Sequence, residues 1–494
     1  MKKITLGFRR VLPAVCAGVI LVAFASPRAY AQAGGPGGVL NIPDPITGGD
    51  NGGAPPPPAP ERTPSTSVTA PPAPVTTPPP AHTMATPPPI VAPSTTGDTI
   101  VDTTQRVQAT KRGICENHMS QEDFIAVGKG VSWFYNWAAN SSDQPPESAH
   151  MHFIPMAWGH GGDPGAIAGA LGLRPPVVLA LNEPNLKGQA FLPPQDAAEF
   201  YLKVKQSADA QHIPVVGPNM ALGSATGDSI TAVDPVTKQK TTYTSMKAYL
   251  EAYFHYIKPG EMPAGIGVHS YGGMGDLKGA VAVAYEVTHK PVWVTEFAWW
   301  DAKSPDDEVN YLRQAVEFLE NSSQVAGYAW FMNRAGKNPK ISILDTASGK
   351  LTPLGQEYVK LPSHSMHVFY RVPGVLDAGK YVRNENMTLE DTSDADGDFD
   401  MVSRGMGWVA YNIFVDVPGT YVLRLRVSGA PGKLAVVQNG EVIGTADTKE
   451  LGWHTVETTV KLAAGKQTLR VDCNGQALHS IEFGMRAAFA MSGK

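Results

Sequence analysis

Between residues 111 and 361 two kinds of stretch alternate. Short runs of apolar, β-branched and aromatic residues recur eight times, at 113–116, 130–135, 152–156, 177–182, 213–217, 265–269, 291–295 and 325–330. Several are apolar at consecutive positions, as a strand covered on both faces requires. Between them lie longer segments, 196–210 and 306–320 among them, whose apolar residues recur at helical spacing. Eight strands with intervening helices in about 250 residues predict an α/β fold of the (β/α)8 TIM-barrel type. The structural rival is a doubly wound open sheet, but no Gly-rich phosphate loop follows any of the runs.

Past Leu361 the period changes to strict alternation, as in 421–427 and 467–471, with turns at Asn439-Gly440 and Ala464-Gly465. That pattern predicts an all-β sandwich over 366–488. Ahead of the barrel, 32–104 is dominated by Pro, Ala, Thr, Gly and Ser, as in Ala54-Pro55-Pro56-Pro57-Pro58 and Thr77-Pro78-Pro79-Pro80. Such a composition buries too little apolar surface to fold and predicts a disordered, partly polyproline spacer. Residues 1–31 combine Lys2, Lys3, Arg9 and Arg10 with an apolar run over 11–24 and Ala29-Tyr30-Ala31, the layout of a secretory signal peptide. The expectation is a secreted, periplasmic or cell-surface protein with no membrane span after cleavage.

The first 31 residues carry five basic side chains and no acidic one, so without them the formal charge moves from −5 to −10. That balance speaks against nucleic acid as a partner. Of the three cysteines, Cys16 leaves with the signal, and Cys115 and Cys473 fall in different predicted domains, where they read as small core residues.

In a barrel of this kind chemistry sits at the carboxyl ends of the strands. The fourth run finishes in Asn182-Glu183-Pro184 and the seventh in Thr295-Glu296-Phe297. One acid leaving an apolar strand reads most simply as a structural carboxylate. Two at one rim, on opposing strands, read as a working pair, because an acid at the end of a buried strand is costly unless it is matched. Glycoside hydrolysis needs two carboxyl groups across the scissile bond, one protonated and one ionised.

Gly130-Val131-Ser132-Trp133-Phe134-Tyr135-Asn136-Trp137, Phe153-Ile154-Pro155-Met156-Ala157-Trp158-Gly159, Asn182-Glu183-Pro184-Asn185-Leu186 with Gln189 and Pro193, and Pro291-Val292-Trp293-Val294-Thr295-Glu296-Phe297-Ala298 follow in order. Together they resemble glycoside hydrolase family 128. The resemblance implies a clan A barrel, retention of anomeric configuration, endo-β-1,3-glucanase activity on a β-glucan, and no cofactor or metal. It also implies roles: Glu183 as acid/base, Glu296 as nucleophile, Asn182, His269 and Tyr271 in support, with Asn182 on the sugar 2-hydroxyl and Tyr271 against the nucleophile. Trp133, Trp158, Trp299 and Trp330, with Trp137 and Trp300, are candidate sugar platforms, since an indole stacks on the apolar face of a pyranose. Asn185 is a further candidate substrate contact.

The chain departs from the family pattern in His269-Ser270-Tyr271-Gly272, where a tryptophan is expected, in Asn185, and in a threonine-rich insertion over 224–245. In the last domain, Gly407-Trp408-Val409-Ala410-Tyr411-Asn412 and Gly452-Trp453-His454 resemble family 6 or 35 carbohydrate-binding modules, with Trp408 and Trp453 as candidate sugar contacts. The rival to a hydrolase is a polysaccharide-binding envelope or matrix protein with a degenerate barrel, which intact Asn182, Glu183 and Glu296 disfavour. Nothing in the sequence bears on oligomeric state.

Overall fold

The computed structural model describes residues 90–91, 97–159, 167–172, 174–394 and 398–485. The expected signal peptide and all but the end of the expected spacer lie outside the described residues.

Eight parallel strands make up the first domain: β1 Arg112–Cys115, β2 Trp133–Tyr135, β3 in two pieces, His152–Phe153 and Met156–Ala157, β4 Val178–Ala180, β5 Val215–Met220, β6 Gly265–Ser270, β7 Val292–Phe297 and β8 Val325–Trp330. The hydrogen-bonded order runs from the first piece of β3 through β2, β1, β8, β7, β6, β5 and β4 to the second piece of β3. Both ends of the sheet are therefore halves of one segment, broken at Ile154-Pro155, and the sheet closes on itself. Proline lacks the N–H that a ladder needs, which accounts for the break.

The strands are buried along nearly their whole length, β5 and β6 at every position, because the barrel fills one face and helices cover the other. Two of those helices are Pro194–Asp209 and Pro305–Asn321, close to the periods read from sequence. The second starts at Ser304, whose hydroxyl accepts the N–H of Asp307 while the Asp307 carboxylate accepts the Ser304 N–H. Trp133 and Trp293 meet edge to face, ring centroids 5.6 Å apart, near the strand starts. Gly113 and Gly327 make room for them: a Cβ there would lie 2.3 and 2.4 Å from the indoles. The insertion folds as a hairpin, Thr231–Val233 with Lys240–Thr242, anchored to the loop after β4 by Lys187 N–H donating to Asp228 O at 2.9 Å.

After helix Pro353–Lys360 the chain enters a mostly antiparallel all-β domain, in whose strands buried positions alternate with more exposed ones. Asn439 and Gly440, at φ 51° and 85°, form its tightest hairpin as expected, joining Gly432–Gln438 to Glu441–Thr448.

The spacer ends earlier than its composition suggests. Thr99–Asp102 is a strand, paired in parallel with Val368–Val372 of the β domain, and Val101 is buried. A few residues later the Gln108 amide donates to the carbonyls of Gly128, Val131 and Ala149 in the barrel. Ile100 and Val101, flanked by Thr99 and Asp102, are a short apolar, β-branched run that averaging over a Pro-rich window conceals.

Candidate active site

Past β4 the backbone leaves ordinary strand geometry. Leu181 and Glu183 take φ of 66° and 45°, a left-handed region that side-chain-bearing residues avoid. Neighbours fix the turn: Asn182 N–H donates to Trp158 O at 2.8 Å and Glu183 N–H to Asn219 O at 2.7 Å. The Asn219 side chain, fully buried, ties the strand ends together. Its amide donates to Ala180 O at 3.0 Å, and its oxygen accepts the hydroxyl of Thr295 on β7. Residues held in a sparsely populated backbone region by such over-determined contacts cluster at functional sites.

Glu183 and Glu296 converge. Nδ1 of His269, at the end of β6, lies 2.9 Å from Glu183 Oε1 and 3.4 Å from Glu296 Oε2, and both carboxyls are only 4% exposed. A shared partner at those distances puts the two acids within about 6 Å of each other, inside the reach of one sugar carbon. Their surroundings differ. Glu296 is ringed by donors: Tyr135 hydroxyl at 3.0 Å and Trp137 Nε1 at 2.7 Å reach Oε1, and the Tyr271 hydroxyl reaches Oε2. Burial and the nearby Glu296 charge push the hydroxyls of Tyr135 and Tyr271 far above their ordinary range, so both remain donors. Burial pushes the Glu183 carboxyl up, Glu296 adds to the rise, and His269 opposes it. Burial works against a charge on His269, but the two carboxylates outweigh it and raise the imidazole above its usual range. A carboxyl inclined to keep its proton thus faces one wrapped in hydrogen-bond donors.

Several sequence candidates sit elsewhere. Trp133 is packed near the strand starts, its Nε1 donating to Lys111 O, because its ring is needed to fill the barrel there. Trp330 is wholly buried among Phe297, Tyr311 and Tyr358 and donates to Ile341 O, so it presents no face to a sugar. Asn185 is also fully buried and exchanges both amide bonds with the backbone of Ala221, a structural clasp between the loops after β4 and β5. Trp158 and Trp299 are half-buried just past β3 and β7, and Trp300 stands edge-on to Tyr271 at 6.2 Å. Trp137 is a donor to Glu296 rather than an open platform, and Tyr135 and Asn219 were not read as site residues at all. An uncharged polar residue inside an apolar strand, as in Val216-Gly217-Pro218-Asn219, is the signal that would have found Asn219.

In the β domain Trp408 is half-exposed, bonded to Glu385 at 2.9 Å and covered by the Arg470 guanidinium 5.5 Å from its ring. Trp453 contacts Ser393 and His479 instead. The two tryptophans share none of these partners. No cluster of His, Cys, Asp or Glu suited to a metal occurs among the described residues, and none of their helices is long and apolar enough to cross a membrane.

The glycosyl hydrolase catalytic core family matches residues 113–358. Two solved structures, the glycoside hydrolase family 128 (subgroup II) endo-β-1,3-glucanases of Pseudomonas viridiflava and Sorangium cellulosum, are 30% and 31% identical to this chain. Each match covers 52% of this chain, and 99% and 100% of theirs, with a TM-score of 0.44. The alkali-sensitive linkage protein 1 of Schizosaccharomyces pombe is 25% identical over 246 residues, 47% of this chain and 41% of that protein, so the chain spans less than half of that relative's length. By its match to the catalytic core and its identity along the full length of two such enzymes, the chain belongs to the glycosyl hydrolase catalytic core family and is a glycoside hydrolase of family 128.

Proposed function

We propose that the protein is an exported, retaining hydrolase that cuts within β-1,3-glucan or a closely related β-glucan, with Glu183 as acid/base and Glu296 as nucleophile. One observation carries this: a single imidazole nitrogen touches both carboxylates, one from β4 and one from β7. That proximity suits a double displacement, which wants carboxyls about 5–5.5 Å apart, better than inversion, which needs room for a water. Glu296 attacks the anomeric carbon while Glu183 gives its proton to the departing glycosidic oxygen. Water then enters, loses a proton to Glu183 and releases the sugar from Glu296. Three donors on Glu296 favour the charge it carries before attack and after release. Asn182 meets the sugar 2-hydroxyl, and Trp158, Trp299 and Trp300 offer half-open indoles at the rim. The β-glucan substrate is inferred from the two family 128 enzymes, which are endo-β-1,3-glucanases. Both acids are present and paired, which argues against a degenerate, merely binding barrel. The β domain, read as a sandwich with Trp408 or Trp453 against sugar, would keep the enzyme near the polymer and raise its effective concentration.

The mature protein, incubated with laminarin, curdlan, cellulose and an unrelated β-glucan, should release reducing ends from the first two with the β-anomer formed initially. Glu183→Gln and Glu296→Gln should each lose at least about a thousandfold. Equal release by all three proteins removes both glutamates from the mechanism, and initial α-anomer excludes retention.

A further inference from the structure

The loop after β2, residues 136–144, has Trp137 near one end and Asp143 near the other. Trp137 takes a left-handed φ of 61° and donates to Glu296 Oε1 at 2.7 Å. A residue with a side chain keeps such a backbone only where its surroundings hold it. Asn136 closes the middle of the loop: its Oδ1 accepts the Ala138 N–H and its Nδ2 donates to Asn140 O, both at 3.2 Å. Asp143 fastens the far end to the loop after β1. Its carboxylate accepts the Met119 N–H at 2.8 Å and the Ser142 hydroxyl at 3.3 Å, and His118 Nδ1 lies 2.9 Å from it.

Glu116, one residue past β1, sits inside this arrangement. It is 1% exposed, its carboxyl lies against the Asp143 carboxylate and the Ser141 hydroxyl, and its Oε2 has no hydrogen-bond partner. Two cations stand nearby in the chain fold, and neither separates the pair: His118 is largely exposed and bonded to Asp143, while Arg334, on the loop after β8, is paired with Asp123. Two carboxyls buried side by side with no cation between them share a proton. The donors on Asp143 favour its charge, which leaves the proton on Glu116. Burial and the neighbouring Asp143 push the Glu116 carboxyl up to about 8.

We infer that Glu116 is a positioning residue: with its proton in place it binds the loop after β2 through Asp143, and that loop holds the Trp137 N–H on the nucleophile. The inference rests on the reading of Glu296 as nucleophile. When Glu116 gives its proton to solvent, two carboxylates face each other, the far end of the loop is pushed away, and the bond from Trp137 to Glu296 weakens.

The test follows kcat/KM from pH 6 to pH 10 on a dinitrophenyl β-laminari-oligosaccharide. Its leaving group departs without a proton from Glu183, so titration of that acid does not enter. Wild type should fall about tenfold, with a midpoint at about 8. Glu116→Gln, whose amide donates to Asp143 at every pH, should be about threefold slower than wild type at pH 6 and show no such step. Trp137→Phe has already lost the donor, so it should be slow throughout and lack the step as well. Asp143→Asn offers an amide to either form of Glu116 and should also abolish the step, so it carries the comparison where Glu116→Gln folds poorly. A step of the same size and midpoint in Glu116→Gln, Asp143→Asn or Trp137→Phe overturns the inference, and so does a wild-type profile flat to pH 10. Failure of the wild type to cleave this substrate at any pH sinks the catalytic reading beneath it, whereas cleavage without the step sinks only the role of Glu116.

Discussion

Glu183 and Glu296 are the same residue type at the same depth, and what separates them is their neighbours. Trp137 tests this. Replacing it with Phe keeps a ring between Tyr135 and Phe331 but removes the 2.7 Å donor to Glu296. A hydrogen bond to a charged group contributes about 1.5–3 kcal/mol, so kcat/KM should fall on the order of 10- to 100-fold with little change in melting temperature. A third rim carboxyl, Glu116, just past β1, gives a stability prediction. Burial, helped by Asp143, pushes it up to about 8. The folded protein therefore keeps a proton there that the unfolded chain has lost from about pH 4.5 upward. Stability falls as pH rises through that window, by as much as about 4 kcal/mol at its upper end. Denaturant unfolding at pH 5 and pH 8 should show this fall in wild type and a smaller one in Glu116→Gln; an equal fall in both excludes Glu116 as its source.

Among the elements, β5 ties together the strands that carry the pair. Asn219 bonds the end of β4 through Ala180 and the end of β7 through Thr295, and β6 approaches it so closely that a Cβ on Gly267 would lie 1.9 Å from its oxygen. Gly267→Ala should cost about 3 kcal/mol or more, read as a fall in denaturation midpoint, because the crowding atom is the amide that ties the sheet. Asn219→Ala takes the side-chain partner from the Thr295 hydroxyl and from the Ala180 carbonyl. It should cost about 2 kcal/mol and lower kcat by more than that stability loss explains at temperatures where the variant is fully folded.

At the scale of the molecule, residues 97–110 clasp both domains. Thr99–Asp102 extends the β-domain sheet, Asp98 pairs with Lys466 and His367, and Gln108 makes three bonds inside the barrel. A second tie is Arg112, fully buried in β1, which bonds the carbonyls of Tyr358, Leu361 and Pro362 at the domain junction and pairs with Glu320. A chain begun at Gly97 should therefore melt within about 2 °C of the mature protein, while one begun at Lys111 should melt about 5 °C lower or more by calorimetry. Equal midpoints would show that the clasp adds nothing to stability.

The eight apolar runs, the switch from helical spacing to alternation near Leu361, and the carboxylates closing the fourth and seventh runs were all legible in the chain. Each is local: a buried strand needs consecutive apolar residues, and an acid at its end interrupts them. The Asn439-Gly440 hairpin was legible for the same reason, since its φ values belong to those residue types. What a tryptophan does was not local. Trp133, Trp137, Trp299 and Trp330 all follow or lie in strands, yet one fills the barrel floor, one donates to Glu296, one stands at the rim and one is core, according to which end of the barrel and which neighbour each side chain meets. The division of Glu183 from Glu296 likewise comes from Tyr135, Trp137, His269 and Tyr271, brought from two other strands, β2 and β6, by closure of the sheet. Sequence determined which residues could do chemistry, because residue type and strand period are written along the chain; tertiary structure decided what each one does, because burial and hydrogen bonding depend on residues far apart in it.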